Sequence, residues 1–290
     1  MKKIGMIGLG AMGHSVAENV MKNGFQMVLF DIRPEAYADL VEQGAEGAAS
    51  LQELGQKTDT VLMMVNTYSQ CVSVMGSLLE TLRDGVIINL GTIAMDEAQS
   101  LEKMAAEKGC RMIDCPVSGG TAGAKAGTLT LMAACSEELF EEKLPLLQAF
   151  SANPRQVGTS CGQGQAVKAI NQLLVGVHMC ATAEAFTRAA KCGLDLQMMY
   201  DTICTSAGRS EIFRNRGQYL IERNFDTRST LAIQLKDTTI ACKTAEAAGA
   251  PTFLANTARE LFKLAVNKYP PTDDSLEVVR IYEALCGLEY

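Results

Sequence analysis

The sequence predicts an α/β domain with a parallel sheet, followed by an all-α domain, the two joined by a long interdomain helix. Three features predict it. Short apolar runs alternate with amphipathic helical stretches through the first half of the 290 residues. A glycine-rich turn separates the first run from the first helical stretch. Past residue 160 the strand-like runs stop and only helical periodicity continues.

The runs at 3–7, 27–30, 60–65, 86–90, 112–114 and 129–133 are short, apolar and bounded by Gly, Asp or Asn, so they read as strands. Helical patterns fill 12–23, 34–43, 70–82 and 95–107. Gly24, Gly44 and Gly109 follow three of them, the residue type that ends helices in left-handed backbone. This alternation predicts βαβ units. A single long helix then runs from Gln165 to about Cys192, rich in Ala, Leu, Val and Met and free of proline. Helices follow at 196–205, 211–222, 230–248, 252–267 and 275–285. The expected division is 1–161 for the α/β domain and 162–290 for the helical one.

Composition excludes several functions. Hydrophobic residues make up 48% and charged residues 20%, the balance of a globular protein with sizeable cores. Net charge is −7 and no Lys/Arg block occurs, so neither nucleic acid nor an anionic membrane surface is expected as a partner. No apolar run approaches the roughly 18 residues of a membrane-spanning helix. The run at 4–9 after Met1-Lys2-Lys3 is broken by glycines, unlike a signal peptide. Ten cysteines at irregular spacings, with no CxxC pair, read as reduced residues of a cytoplasmic protein. With only His14 and His178 present, a multi-histidine zinc site is excluded and no metal is expected.

Gly8-Leu9-Gly10-Ala11-Met12-Gly13 fits G-x-G-x-x-G between the first strand and the first helix, the context its physics requires. Gly8 permits the tight turn, Gly10 lets backbone approach a pyrophosphate, and Gly13 lets helix pack on strand. The pyrophosphate then lies at the positive end of the helix. Asp31 ends the second strand, where a carboxylate accepts from ribose hydroxyls and repels a 2′-phosphate. The first domain is therefore expected to be a Rossmann domain binding NAD in preference to NADP. Arg33, two residues on, pulls the other way because a guanidinium pairs with such a phosphate. His14 is assigned no chemistry.

Two further clusters stand out. Asp114-Cys115-Pro116-Val117-Ser118-Gly119-Gly120-Thr121 follows a strand, where ligands bind on such sheets. Ser118, Gly119 and Gly120 offer a hydroxyl and two unobstructed amides, suited to a carboxylate or simply to a turn. The second cluster, 162–172, places Lys168 and Asn171 on one face of the long helix, continued by Val175 and His178. A buried lysine has a lowered pKa, which suits proton exchange with a substrate hydroxyl. The alternative is a lysine snorkelling to solvent. The Lys236-Asp237 pair reads, without further context, as a solvated helix face.

These motifs resemble one family, the β-hydroxyacid dehydrogenases, over nearly the whole length. The resemblance is carried by GLGAMG at 8–13, Phe30-Asp31, DCPVSGGTAGAKAGTLTLMA at 114–133 and GQGQAVKAINQLLVGVH at 162–178. It implies that Lys168 is catalytic, that Ser118, Gly119, Gly120 and Asn171 bind substrate, and that Val65, Asn66, Thr92 and Lys236 contact the cofactor. Within the family the likeness leans to the L-threonate dehydrogenase branch, through Val65-Asn66, Val177-His178, the segment 200–216, Arg228-Ser229 and Asp273-Asp274-Ser275. Gly91 departs from the serine frequent at that position, and Arg209 from a small polar residue.

The resemblance implies reversible NAD-linked oxidation of the alcohol of a small hydroxy or sugar acid. Related substrates are 3-hydroxyisobutyrate and tartronate semialdehyde, and a homodimer or homotetramer is expected. The rival readings are an imine or other carbonyl reductase and a non-catalytic dinucleotide-binding protein. Both are associated with relatives lacking the lysine.

Overall fold

The structure is a computed structural model that describes residues 3–288. Residues 1–2 and 289–290, the outer ends of the two expected domains, lie outside them. Among the described residues the chain forms two compact units, dividing after Lys168.

The first unit carries one sheet. Its strands are β1 (Lys3–Ile7), β2 (Met27–Phe30), β3 (Glu46–Gly47), β4 (Thr58–Met63), β5 (Val86–Asn89), β6 (Arg111–Asp114), β7 (Val117–Ser118), β8 (Thr130–Ala134) and β9 (Asn153–Gly158). The order β3-β2-β1-β4-β5-β6 is parallel throughout and reverses direction of growth between β1 and β4, the switch point of a doubly wound sheet. Beyond β6 the expected parallel sheet becomes mixed. Strand β8 is antiparallel to both β6 and β7, and β9 returns parallel to β8. The chain between β6 and β8 is taken up by β7 and a short helix, which leaves nothing long enough for a crossover over the sheet face.

Helices α1 (Gly13–Lys22), α2 (Ala38–Glu42), α3 (Leu51–Lys57), α4 (Tyr68–Leu78), α5 (Met95–Ala106), α6 (Gly120–Ala126) and α7 (Glu137–Gln148) cover the sheet. The helix expected at 34–43 is split: Pro34–Tyr37 is a 3-10 turn and only the remainder is α2. Neighbouring strand residues alternate between two cores. Met6, Leu62 and Ile88 pack on one face, and Ile7, Val61, Met63 and Ile87 on the other. Burial on both faces is why these strands read as unbroken apolar runs.

The second unit is helical. The long helix α8 (Gln163–Lys191) begins in the first unit and supplies most of its length to the second. It is followed by α9 (Leu196–Cys204), α10 (Glu211–Glu222), α11 (Leu231–Ala247), α12 (Phe253–Lys268) and, after a 3-10 turn at Ser275–Val278, α13 (Val279–Cys286). Met179, Ala183, Phe186, Phe213, Leu231, Phe262 and Leu276 form its core. Phe186, Tyr200 and Phe213 pack with ring centroids 5.6–6.5 Å apart.

Seven of the ten cysteines are buried, and all ten are free thiols. No helix of the described residues is long and apolar enough to cross a membrane.

At the sheet edge Glu46 of β3 accepts hydrogen bonds from Lys3 of β1 and Lys57 of α3, each at 2.5 Å. The two ammonium groups lower its carboxyl from the ordinary 4.5 to about 2. A carboxyl depressed in the fold contributes stability that is whole above its unfolded value and is lost as pH falls through its folded one. Between 4.5 and about 2 the wild type should therefore lose melting temperature faster than Glu46→Gln. The pair is partly exposed, so the difference should amount to about 1 kcal/mol or less. Parallel melting curves across that interval would remove the assignment.

Candidate active site

The turns after β1, β2, β4 and β5 gather at the carboxyl end of the parallel strands. Gly8 has φ of 85°, and a Cβ built on it would sit 2.3 Å from the Met64 carbonyl oxygen after β4. A Cβ on Gly13 would sit 1.9 Å from the Gly8 carbonyl oxygen. One on Gly10 would meet nothing within 4 Å. Two glycines thus close the turn tightly, and the third faces open space at the start of α1. This is the arrangement a pyrophosphate needs. Leu9 is buried, Ala11 exposed and Met12 half-buried ahead of α1.

Asp31 follows β2. Its Oδ2 accepts from the Leu9 amide at 2.7 Å, and its Oδ1 from the Arg33 amide at 3.0 Å. The carboxylate is therefore fastened to the glycine-rich turn. The Arg33 Nε lies 3.7 Å from the same carboxylate on a largely exposed side chain. His14 is bonded at 2.9 Å to Asp39.

Val65 and Asn66 follow β4. The Asn66 and Thr67 amides donate to Gln70 Oε1, which with the Thr67 hydroxyl caps α4. Thr92 follows β5, half-buried between buried Gly91 and Ile93. A Cβ on Gly91 would lie 2.7 Å from the Val65 carbonyl oxygen and 3.3 Å from Asn89 Oδ1. The departure from serine lets the end of β5 close against the turn after β4.

Ser118 ends β7, and Gly119 and Gly120 lead into α6 with φ of 131° and 61°. Both glycines are exposed and Ser118 is half-buried.

A pair of residues given no role by sequence reasoning joins these turns to α8. Asp114, fully buried at the end of β6, accepts from the Gly162 amide at 2.9 Å, the Gln165 amide at 3.1 Å and Gln165 Nε2 at 2.7 Å. Gln165 Nε2 also donates to the Gly91 carbonyl at 3.0 Å, and its Oε1 accepts from the Ile93 amide at 3.1 Å. Burial pushes the Asp114 carboxyl above its ordinary value, against the pull of these donors. Both residues lie inside motifs visible in the sequence, but no spacing rule links positions 51 apart.

Lys168 lies one turn after Gln165 on α8 and is only 6% exposed, so it does not snorkel to solvent. Asn171, on the same helix face, is half-buried, and its Nδ2 donates to Gln172 Oε1 at 2.8 Å. In the second unit the Lys236-Asp237 pair departs from the expected solvated face. Asp237 is buried, accepts from Gln172 Nε2 at 2.5 Å and lies 3.2 Å from Lys236 Nζ. Polar residues of α8 and α11 thus meet inside the helical core, a pairing that neither helix's own periodicity reveals. His178 is half-buried and Arg209 is exposed ahead of α10.

Residues 3–164 match the family described as the NAD binding domain of 6-phosphogluconate dehydrogenase. Residues 162–282 match that described as NAD-binding of NADP-dependent 3-hydroxyisobutyrate dehydrogenase. An L-threonate dehydrogenase of Cupriavidus necator is 33% identical over 288 residues, 98% of this chain and 97% of that one. The chain belongs to the β-hydroxyacid dehydrogenase family. It is an NAD-binding hydroxyacid dehydrogenase, an oxidoreductase acting on CH–OH donors, and stands close to the L-threonate dehydrogenases. The 2-(hydroxymethyl)glutarate dehydrogenase of Eubacterium barkeri is 32% identical over 99% of this chain and 96% of its own length. A crystal structure of a 3-hydroxyisobutyrate dehydrogenase from Salmonella typhimurium matches with a TM-score of 0.90 at 33% identity, over 97% of this chain and 100% of that one. In this family member the open face of Gly10 and the carboxylate of Asp31 fit the pyrophosphate and ribose of the dinucleotide.

Proposed function

We propose that this enzyme oxidises the alcohol of a small hydroxy or sugar acid with NAD, L-threonate being the first candidate substrate. The observation that carries the reading is Lys168, a lysine almost wholly removed from solvent on α8. A buried amine is suited to exchange a proton with a substrate hydroxyl. The Ser118 hydroxyl and the amides of Gly119 and Gly120, with Asn171, hold the substrate carboxylate. Lys168 Nζ accepts the hydroxyl proton as the carbinol C–H bond gives up its hydride. Bound NAD supplies the hydride acceptor. Gly8 to Gly13, Asp31, Val65, Asn66, Thr92 and Lys236 hold the dinucleotide. The Asp31 carboxylate disfavours a 2′-phosphate, and Arg33 is drawn towards that carboxylate, which supports NAD over NADP.

The first domain, 1–161, binds the dinucleotide, and the second, 162–290, contributes to substrate binding and to assembly. Exposed Ile170, Leu174, Phe253 and Leu254 of the helical unit support a homodimer or homotetramer, which light scattering would detect. Ten free cysteines support a cytoplasmic location.

NADH formation across L-threonate, 3-hydroxyisobutyrate, glycerate and 2-(hydroxymethyl)glutarate tests the substrate, with NAD and NADP side by side. L-threonate should give the highest kcat/KM, and NADP should be at least about tenfold poorer, the effect of roughly 1.4 kcal/mol. Absence of NADH formation with every acid would overturn the reading. Faster turnover of another acid would move the substrate but keep the reaction.

A further inference from the structure

We infer that Asp114 and Gln165 are positioning residues that hold the Gly91-Thr92-Ile93 turn in register with the turn of α8 that carries Lys168. The inference rests on the roles proposed above for Thr92 and Lys168. It concerns groups that touch neither substrate nor cofactor in that reading.

Asp114 by itself would be an ordinary helix cap. Its Oδ2 accepts from the Gly162 and Gln165 amides, at the start of α8. The approach is close. A Cβ on Gly164 would lie 2.5 Å from the Met132 carbonyl oxygen and 2.8 Å from that of Asp114. A cap, however, needs only the carboxylate. The Gln165 side chain does something the helix does not require. Its amide reaches back to the Gly91 carbonyl and the Ile93 amide, the backbone groups on either side of Thr92.

Gln165 is 1% exposed, and each of its amide atoms is committed. Both Nε2 protons go to acceptors, Asp114 Oδ1 and the Gly91 carbonyl, and Oε1 faces a donor, the Ile93 amide. Turning the amide over would set Nε2 against an N–H and Oε1 against two oxygens. One orientation is therefore fixed. Lys168 follows three residues later on the same helix face, a rise of about 4.5 Å. The Thr92 turn and the Lys168 turn are thus referred to one buried amide, with Asp114 as its anchor.

Gln165→Glu tests this by making the bracket titratable. The introduced carboxyl would face two oxygens, Asp114 Oδ1 and the Gly91 carbonyl. Only its protonated form can donate to either. The titratable groups around the network are Asp114 and Cys115 at the end of β6, Cys135 after β8, Cys161 ahead of α8, Glu102 on α5 and Lys168 itself. Burial raises all three thiols and keeps them neutral. Asp114 adds to the repulsion, and Lys168, where protonated, opposes it. The variant should work where the introduced carboxyl holds its proton and fail as pH rises and the proton leaves.

Between about pH 5.5 and about pH 8, the ratio of variant to wild-type kcat should fall by about tenfold or more, with NADH affinity falling alongside it. Far-UV circular dichroism should stay unchanged over the interval. Gln165→Met, similar in length but without an amide, should lose about tenfold in kcat at every pH. Folded variants holding kcat and NADH affinity within about twofold of wild type at pH 8 would overturn the inference. So would unfolding of Gln165→Glu that accompanies its loss of turnover, because that would make the bracket a stability device alone. If the wild type oxidises no hydroxy acid, the functional reading fails on that ground. The pH dependence of NADH binding then decides this one.

Discussion

Lys168→Ala loses about 10²- to 10⁴-fold in turnover, the range for removing a positioned acid or base, while NADH binds with nearly wild-type affinity. The split follows from where the lysine lies. It sits on α8, whereas the glycine-rich turn, Asp31 and the turn after β4 are built on strands of the sheet. Loss of the amine removes the group that takes the hydroxyl proton. It leaves intact the Leu9–Asp31 bond and the open face of Gly10. Lys168→Arg should not restore activity, because a guanidinium stays protonated and cannot accept the proton. Steady-state kinetics with fluorescence titration of NADH separates the two effects. A variant that keeps most of its turnover would show that another group moves the proton. A variant that instead loses NADH affinity would make Lys168 a cofactor contact.

Gly10→Leu and Gly13→Ala should both weaken cofactor binding, by different routes. Open space surrounds a Cβ at position 10, so the Leu variant should fold with an unchanged melting temperature. Its side chain would occupy the face where the pyrophosphate approaches. The loss of two charge-assisted hydrogen bonds, roughly 1.5–3 kcal/mol each, weakens NADH by about a hundredfold or more. At position 13 a single methyl would lie 1.9 Å from the Gly8 carbonyl oxygen. No rotamer relieves a backbone clash, so α1 must shift away from β1. Gly13→Ala should therefore lose stability as well as NADH affinity. Thermal melts and NADH titrations on both variants check the pair. Normal NADH affinity in Gly10→Leu would show that the pyrophosphate does not approach that face.

Much of the fold was legible because of how the sheet is buried. The strands read from apolar runs lie in its interior, covered on both faces, so their sequences carry the signal in full. Strands β3, β7 and β9 escaped notice. β3 and β7 have two residues each, and β9 (Asn-Pro-Arg-Gln-Val-Gly) is polar and partly exposed, held to β8 by backbone pairing. The direction of β8 was equally hidden, because an apolar run says nothing about which way its neighbour points.

The candidate site was legible where local geometry demands particular residues, as at Gly8, Gly10 and Gly13. It was not legible where the turns are held by bonds between distant polar groups. Asp31 looked like a ribose ligand, yet its bond to the Leu9 amide spans 22 positions. Lys168 and Asp237 each had a solvated alternative that only tertiary burial could remove.

The bond between Asp114 and Gln165 also bears on inheritance. Asp114 lies in the first family match and Gln165 in the second, and the two matches overlap only at 162–164. A recombinant that joined the halves of two relatives at that seam would combine one parent's acceptor with the other parent's donor. A change at either position restrains which partners the other half can accept. The long helix makes the chain look like two modules, but its first turn belongs to the sheet that precedes it.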